Sequence, residues 1–461
     1  MSLPLAVSDL LLAREQMAFT LGFHIVLACM GVGFPTIMLA ANWWGLRKES
    51  DQALQLAQRW SKVTAVLFAV GAVTGTVLSF EMGLLWPRFM DRFGEAFGIP
   101  FAIEGIFFFI EAIFIAIYIY GWKRLSPWAH FWTGVPIAIS GIGGALSVVA
   151  ANSWMNQPAG FTLDAAGNVT QVDPIDVIFN GAMPYEVPHM ILAAYMVAGF
   201  LVASVYAVGW LRGRRDRYHA LGFAIPFTIA AIATPIQLFV GDTAARAIAD
   251  DQPAKFAAME YVLETGSHQP EYVGGILDGD DVKLGIKIPD LDSILVGFSA
   301  GTEVTGLDQI PDDEEPPSPT LLHLSFDAMV GIGTALLLLA GWYAWVGWRR
   351  RALPRSVWFW RAAAAAGVAA ILALEAGWIV TEVGRQPWIV SGFMRTEDAV
   401  TDAGGIWISL TVVVLLYTAL GVGTVLALRA LARRWREGEA EEEGDVPYGP
   451  PPAMQDEVSG P

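Results

Sequence analysis

Leu374 to Trp388 reads LEAGWIVTEVGRQPW. It is the end of an apolar helix that carries two carboxylates, Glu375 and Glu382, and then breaks at Gly384-Arg385-Gln386-Pro387-Trp388. Two helical turns take about 7.2 residues, so the two glutamates share one face. Glu382 sits at the C-terminal end, where the helix dipole disfavours a negative charge by a few tenths to about 1 kcal/mol. A carboxylate there at membrane depth needs a cation beside it. Arg385 is one candidate, forming an ion pair at the end of a span, and a metal is another.

The composition around this stretch is that of a membrane protein. The 461 residues are 54% hydrophobic and 16% charged, with mean hydropathy +0.48, whereas soluble domains carry about 25% charged residues. A formal charge of -17 is too acidic for a nucleic-acid partner, and the acids gather in loops and in the tail. The single Cys29 excludes an internal disulfide, a Cys-x-x-Cys-His haem attachment and a thiolate-held iron–sulfur cluster. Any metal therefore falls to His, Met, Glu or Asp. The first residues lack a basic n-region and the first apolar run is long enough to span, so no cleavable signal peptide is expected.

Nine apolar runs reach the roughly 20 residues a bilayer needs, and an all-α membrane protein is expected. They cover about 16–45, 61–85, 97–121, 128–152, 187–211, 219–241, 322–348, 358–382 and 404–430. Lys and Arg concentrate after runs one, three, five and seven (Arg47, Lys48, Arg59; Lys123, Arg124; Arg212 to Arg217; Arg349 to Arg355) and again at Arg433, Arg434 and Arg436. Residues 153–186 hold none. The positive-inside bias places the N-terminus outside and the C-terminus in the cytoplasm of a bacterial or archaeal cell membrane. The expected organisation is helices one to six over 1–241, a long acidic outer loop over 242–320, helices seven to nine over 321–432, and a disordered acidic cytoplasmic tail over 433–461. No internal repeat is visible, which gives an inverted-repeat transporter little support.

With that orientation, the polar groups inside the spans fall on one side. His24, Glu81, Glu104, Asn152, His189, Asp327, Met329 and Glu382 lie in the outer part of their runs, with Glu111 nearer the middle. Ionisable groups in hydrocarbon usually mark a pathway or a cofactor. Singly, a His is more often an interhelical hydrogen-bonding residue and a Met is core. His130, His219, His268 and His323 lie near span ends or in the loop and read as interfacial. Two imidazoles, a thioether and a carboxylate at similar depth suit haem iron, which takes His, Met or anionic oxygen axially.

At this point the motifs match a family. The chain resembles subunit I of the cytochrome bd-type quinol:oxygen oxidases from about residue 8 to 430. The motifs are Glu375-Ala-Gly-Trp-Ile-Val-Thr-Glu382-Val-Gly-Arg-Gln-Pro-Trp388, Ala102-Ile-Glu-Gly105, Ala151-Asn-Ser-Trp-Met155, Met329-Val-Gly-Ile-Gly333 and Lys255-Phe-Ala-Ala-Met-Glu260. The resemblance implies His189 and Met329 as axial ligands of a low-spin haem b. It implies His24 and Glu382 as ligands of two high-spin haems, a haem b and a haem d or further haem b, leaving open which of the two serves oxygen. Glu104 and Glu111 would deliver protons, Glu375 would be a further catalytic carboxylate, and Lys255 and Glu260 would bind quinol in the outer loop. Arg385 would contact haem propionates, Trp388 would pack on a macrocycle, and Asn152 belongs to the same cofactor-binding set. A second subunit, small single-span subunits, quinol, O2 and the lipid membrane are the implied partners.

One departure stands out. Many members carry an arginine two residues before the methionine ligand, where this chain has Asp327. An aspartate cannot neutralise propionates, so a lower potential for the low-spin haem is expected unless another basic residue substitutes. Two rival classes remain: a haem b subunit that passes quinol electrons on without meeting oxygen, and a haem-free transporter built on the buried carboxylates.

Overall fold

Ser8 opens the first helix of the computed structural model by accepting a hydrogen bond from the Leu11 amide. The structure describes residues 8–279, 281–437 and 448. Among them, nine helices are long and apolar enough to cross a membrane. These are α1 (Asp9–Lys48), α2 (Asp51–Leu85), α3 (Pro87–Gly121), α4 (Pro127–Asn156), α6 (Met183–Leu211), α7 (Arg217–Asp251), α10 (Pro319–Arg350), α11 (Val357–Gly384) and α13 (Ile406–Arg436). Short helices α5 (Pro174–Ile178), α8 (Pro253–Glu260), α9 (Leu291–Gly297) and α12 (Thr396–Ala399) lie in the connections. Proline begins α3, α4, α8 and α10, where a missing N–H costs nothing. Asp216 starts α7 by accepting from the His219 amide.

Every expected span is present, and most helices run past the apolar stretch. The largest difference is in α7. It continues to Asp251, so the first ten residues of the expected 242–320 loop are helical. Arg246 steadies this extension by pairing with Asp242 one turn back and lying 3.8 Å over the Phe298 ring.

Helix α1 packs against α2, α4, α6 and α13, and α6 packs against α7 and α11. Helix α10 closes onto α7 and α11. Between α1 and α6, the Gly33 Cβ position is filled by Ala194 and Ala198, which lets the backbones approach closely. An aromatic cluster of Phe93, Phe97, Trp154 and Phe161 seals one end, under the hairpin β7 (Trp388–Val390) and β8 (Met394–Arg395). A small hairpin, β1 (Thr162–Leu163) with β2 (Val169–Thr170), decorates that end.

The long loop is built around nested hairpins. Strand β3 (Glu271–Val273) pairs antiparallel with β6 (Ile286–Ile288), and β4 (Ile276–Asp278) with β5 (Asp281–Lys283) between them. The hairpin assembly docks on α10 through Asp327, whose Oδ2 accepts the Gly274 amide at 2.5 Å. Asp327 is therefore engaged in holding the loop. The expected tail over 433–461 also needs amending, because Arg433 to Arg436 belong to α13. Residues 438–447 and 449–461 lie outside the described residues. Tyr448 is described, and its hydroxyl reaches Asn42 and His130 at the basic ends of α1 and α4.

Candidate functional site

His24 projects from α1 toward α2. Its Nδ1 lies 2.9 Å from the Thr74 hydroxyl, which also reaches the helix carbonyls of Val70 and Gly71 at 3.1 Å. A hydroxyl has one hydrogen. With that hydrogen on a carbonyl, the Thr74 oxygen accepts from Nδ1–H. In that arrangement the lone pair lies on Nε2, as in a metal-ligating imidazole fixed by a bond to its other nitrogen. Gly75 makes the room, since a Cβ there would come within 3.0 Å of the ring. About two turns along α2, Glu81 is buried and held by the Gln16 amide at 2.8 Å and the Thr20 hydroxyl at 2.6 Å.

His189 follows Pro188 near the start of α6, and its Nδ1 is buried without a hydrogen-bond partner. Gly241 of α7 lies against this ring, where a Cβ would sit 3.2 Å from Cε1. Met329 of α10 has its sulfur against Gly377 of α11, with a Cβ there only 2.9 Å away. Each candidate axial side chain is thus backed by a glycine on a neighbouring helix, and α6, α7, α10 and α11 pack on one another. Small residues at these places let bulky groups lie between helices.

Glu382 ends α11 with both oxygens engaged. Asn152 of α4 donates to Oε1 at 2.7 Å, and Arg385 Nη2 donates to Oε2 at 2.5 Å. The ion pair anticipated from sequence is present, and a carboxylate retains lone pairs beyond these two bonds. Arg385 is 7% exposed, yet its Nε and Nη1 donors are unpartnered. Trp388 pairs across the hairpin with Arg395, whose guanidinium covers its ring at 5.2 Å. One face of that indole is therefore already occupied. Glu375 lies close to α1, where a Cβ on Gly22 would be 3.2 Å from Oε2. On α3, Glu111 is buried with Oε1 unpartnered, and Glu104 packs by Gly144 of α4.

Lys255 and Glu260, both on α8 and both buried, face different neighbours. The Lys255 stem fills the notch at Gly384 at the end of α11. Burial pulls its ammonium down to about 8; Glu186 and Glu382 oppose that shift and Arg385 adds to it. Glu260 turns instead to Glu271 and Asp292. The structure thus brings Lys255 together with Glu382, Arg385 and Glu186, and leaves Glu260 in a separate cluster.

Two partners escaped the reading of the sequence. Thr74 lies beside Gly75 in an apolar run, and Glu186 lies three residues before His189, where it accepts from Asn156 at 2.8 Å. A polar residue in hydrocarbon near a candidate ligand was the available signal for both. Two histidines read as interfacial are instead fully buried. His130 has Nε2 2.7 Å from the Tyr118 carbonyl and Nδ1 3.0 Å from Tyr448, and His323 has Nδ1 2.7 Å from the Met259 carbonyl.

The family model for cytochrome bd terminal oxidase subunit I matches residues 12–435. A chain of Bacillus subtilis (strain 168), provisionally named a cytochrome bd menaquinol oxidase subunit I, is 34% identical over 92% of this chain and 96% of its own length. A cytochrome bd ubiquinol oxidase subunit 1 from the same organism is 31% identical over 98% and 99%. The solved bd oxidase of Geobacillus thermodenitrificans superposes with a TM-score of 0.87 at 36% identity, over 92% of this chain and 98% of that one. The chain therefore belongs to the cytochrome bd terminal oxidase subunit I family, haem-carrying multi-pass membrane proteins of bacterial respiratory oxidases.

Proposed function

We propose that this chain is the haem-binding subunit of a quinol:oxygen oxidoreductase that oxidises two quinols and reduces one O2 to two waters. The side chains fit three haems. His189 and Met329, each seated against a glycine, would hold a low-spin haem b. His24 and Glu382 would hold a high-spin haem b and a haem d or further haem b. Arg385 offers two unused buried donors suited to propionates, with Asn152 steadying Glu382. Bound haem supplies the electron transfer and the oxygen chemistry.

The chain's own residues supply binding and proton traffic. Lys255 and Glu260 bind and orient quinol in the outer loop, and its protons leave on the outer side. Glu111 and Glu104, seven residues apart on one face of α3, carry protons the other way from the cytoplasm, with Glu375 nearer the reaction centre. Separating proton release from proton uptake generates proton-motive force without a pump. A second subunit and small single-span subunits complete the complex, in the cell membrane with the N-terminus outside.

The observation that carries this reading is His24, whose one hydrogen-bonding neighbour, Thr74, engages Nδ1 and leaves Nε2 for another partner in a haem-carrying family. The test is a pyridine haemochrome and reduced-minus-oxidised spectrum of the purified complex, with oxygen uptake on added quinol. Three haems and quinol-driven uptake are expected. Haem b without oxygen uptake would favour the electron-transfer reading, and no Soret band would favour a transporter.

A further inference from the structure

Three carboxylates converge in the outer loop from three separate elements: Glu260 at the end of α8, Glu271 on β3 and Asp292 in the first turn of α9. One oxygen from each lies within 4.8 Å of the others. Their relative exposures are 4%, 9% and 1%. Glu260 Oε2, Glu271 Oε2 and Asp292 Oδ2 are each buried without a hydrogen-bond partner. Among the described residues no ammonium, guanidinium or backbone amide donates to any of the three. The groups that act on the Glu260 charge are all acids: Glu271, Asp292 and Asp327. Such a cluster stays ionised only if something positive occupies its centre, and otherwise protons must neutralise it.

We propose that Glu260, Glu271 and Asp292 form a binding site for a divalent cation of the calcium type. The donors are all hard oxygens, with no ring nitrogen or sulfur among them, which excludes the metals that prefer imidazole or thiolate. His323, nearby, directs both ring nitrogens at the carbonyls of Met259 and Gly274. Three carboxylates binding through one or two oxygens each approach the roughly six to eight oxygens that calcium takes, and flexible loop ligands suit it better than magnesium. The bound ion would tie α8 to the β3–β6 hairpin and to α9. Since α8 carries Lys255, the ion would act as a clamp on the loop proposed to receive quinol. Because Glu260 is also proposed to orient quinol, the ion would hold that carboxylate in place for it; the test measures ion binding and not turnover, so failure of the site and failure of the quinol reading are distinguishable.

Terbium(III) serves as the calcium probe on the purified complex, after stripping with EGTA. Tyr261 and Tyr272 directly follow Glu260 and Glu271, with ring centroids 6.5 Å apart, and can sensitise a lanthanide held there. Saturable sensitised emission displaced by calcium is expected, weakened about tenfold or more in Glu271→Gln and in Asp292→Asn. Retained haem spectra would show that both variants fold. Emission that is absent, or unchanged in both variants, overturns the proposal. So does an infrared band of a protonated carboxyl in the wild-type complex at neutral pH that Asp292→Asn removes, since protons would then hold the cluster. Should neither variant fold, calcium content of the dialysed wild-type complex decides: one tightly held equivalent supports the site, and none overturns it.

Discussion

At the basic end of the bundle, His130 spends both ring nitrogens, one on the Tyr118 carbonyl and one on the Tyr448 hydroxyl. At the other end, His189 leaves a buried nitrogen without a partner, and His24 bonds through Nδ1 alone. All three are imidazoles on apolar helices, and only their partners differ. A ring with both nitrogens bonded is part of the packing. A ring with a spare nitrogen can take a further partner. His323 belongs with His130: it is fully buried and has a close oxygen at each ring nitrogen, although it lies only six residues from Met329.

The strongest way to break this distinction is to remove one histidine of each kind. His189→Ala should abolish the low-spin haem b signal. It should also lower quinol oxidation by more than about 100-fold, beyond the range for losing an outer-shell partner of a metal. His323→Ala should keep the haem complement and instead lower thermal stability by about 1–3 kcal/mol, because a buried oxygen beside the ring loses its donor. Difference spectra and thermal unfolding of both variants read the two effects separately. Equal haem loss in both would erase the contrast.

A subtler variant sharpens it. Thr74→Val keeps the shape beside His24 and removes the oxygen that accepts from Nδ1. The ring would then be free to take either tautomer. Retention of one high-spin haem should fall about tenfold, the low end of outer-shell effects, with the low-spin signal unchanged. Full retention of all haems would show that Thr74 does not set the tautomer.

The spans and the glutamates of α11 were legible because hydropathy and helical spacing are local properties of the chain. So was the Glu382–Arg385 pair, three residues apart at a helix end. Thr74 and Glu186 were not, because their meaning depends on which helix faces them. The burial of His130 and His323 was hidden for the same reason: both sit near span ends, and only the packing of Tyr118, Tyr448 and Met259 around them decides. The triad in the loop was hidden further still. Glu271 and Asp292 are 21 residues apart along the chain, and the antiparallel β3–β6 pairing, with Glu271 opposite Ile288, brings them together. Asp327 shows the reverse case, where a departure read from sequence as a missing charge proves to be an anchor for that same hairpin assembly.

The smallest expected effect separates the loop from the haem-facing residues. A Cβ on Gly384 would lie 2.6 Å from Lys255 Cγ and within 3.1 Å of Cδ and Cε. Those atoms belong to a flexible stem, so in Gly384→Ala the lysine moves and the helix end stays. The cost is about 1 kcal/mol, the lower bound for adding a methyl to a filled space. If Lys255 orients quinol, that cost appears as a rise of roughly fivefold in the KM for quinol, with kcat and all haem bands unchanged. The same displacement moves the ammonium relative to Glu186, Glu382 and Arg385, the charges that act on it now. A fall in kcat with altered haem bands would therefore place Lys255 with the haem-facing residues. An unchanged KM would leave its buried ammonium as a packing element between α8 and α11.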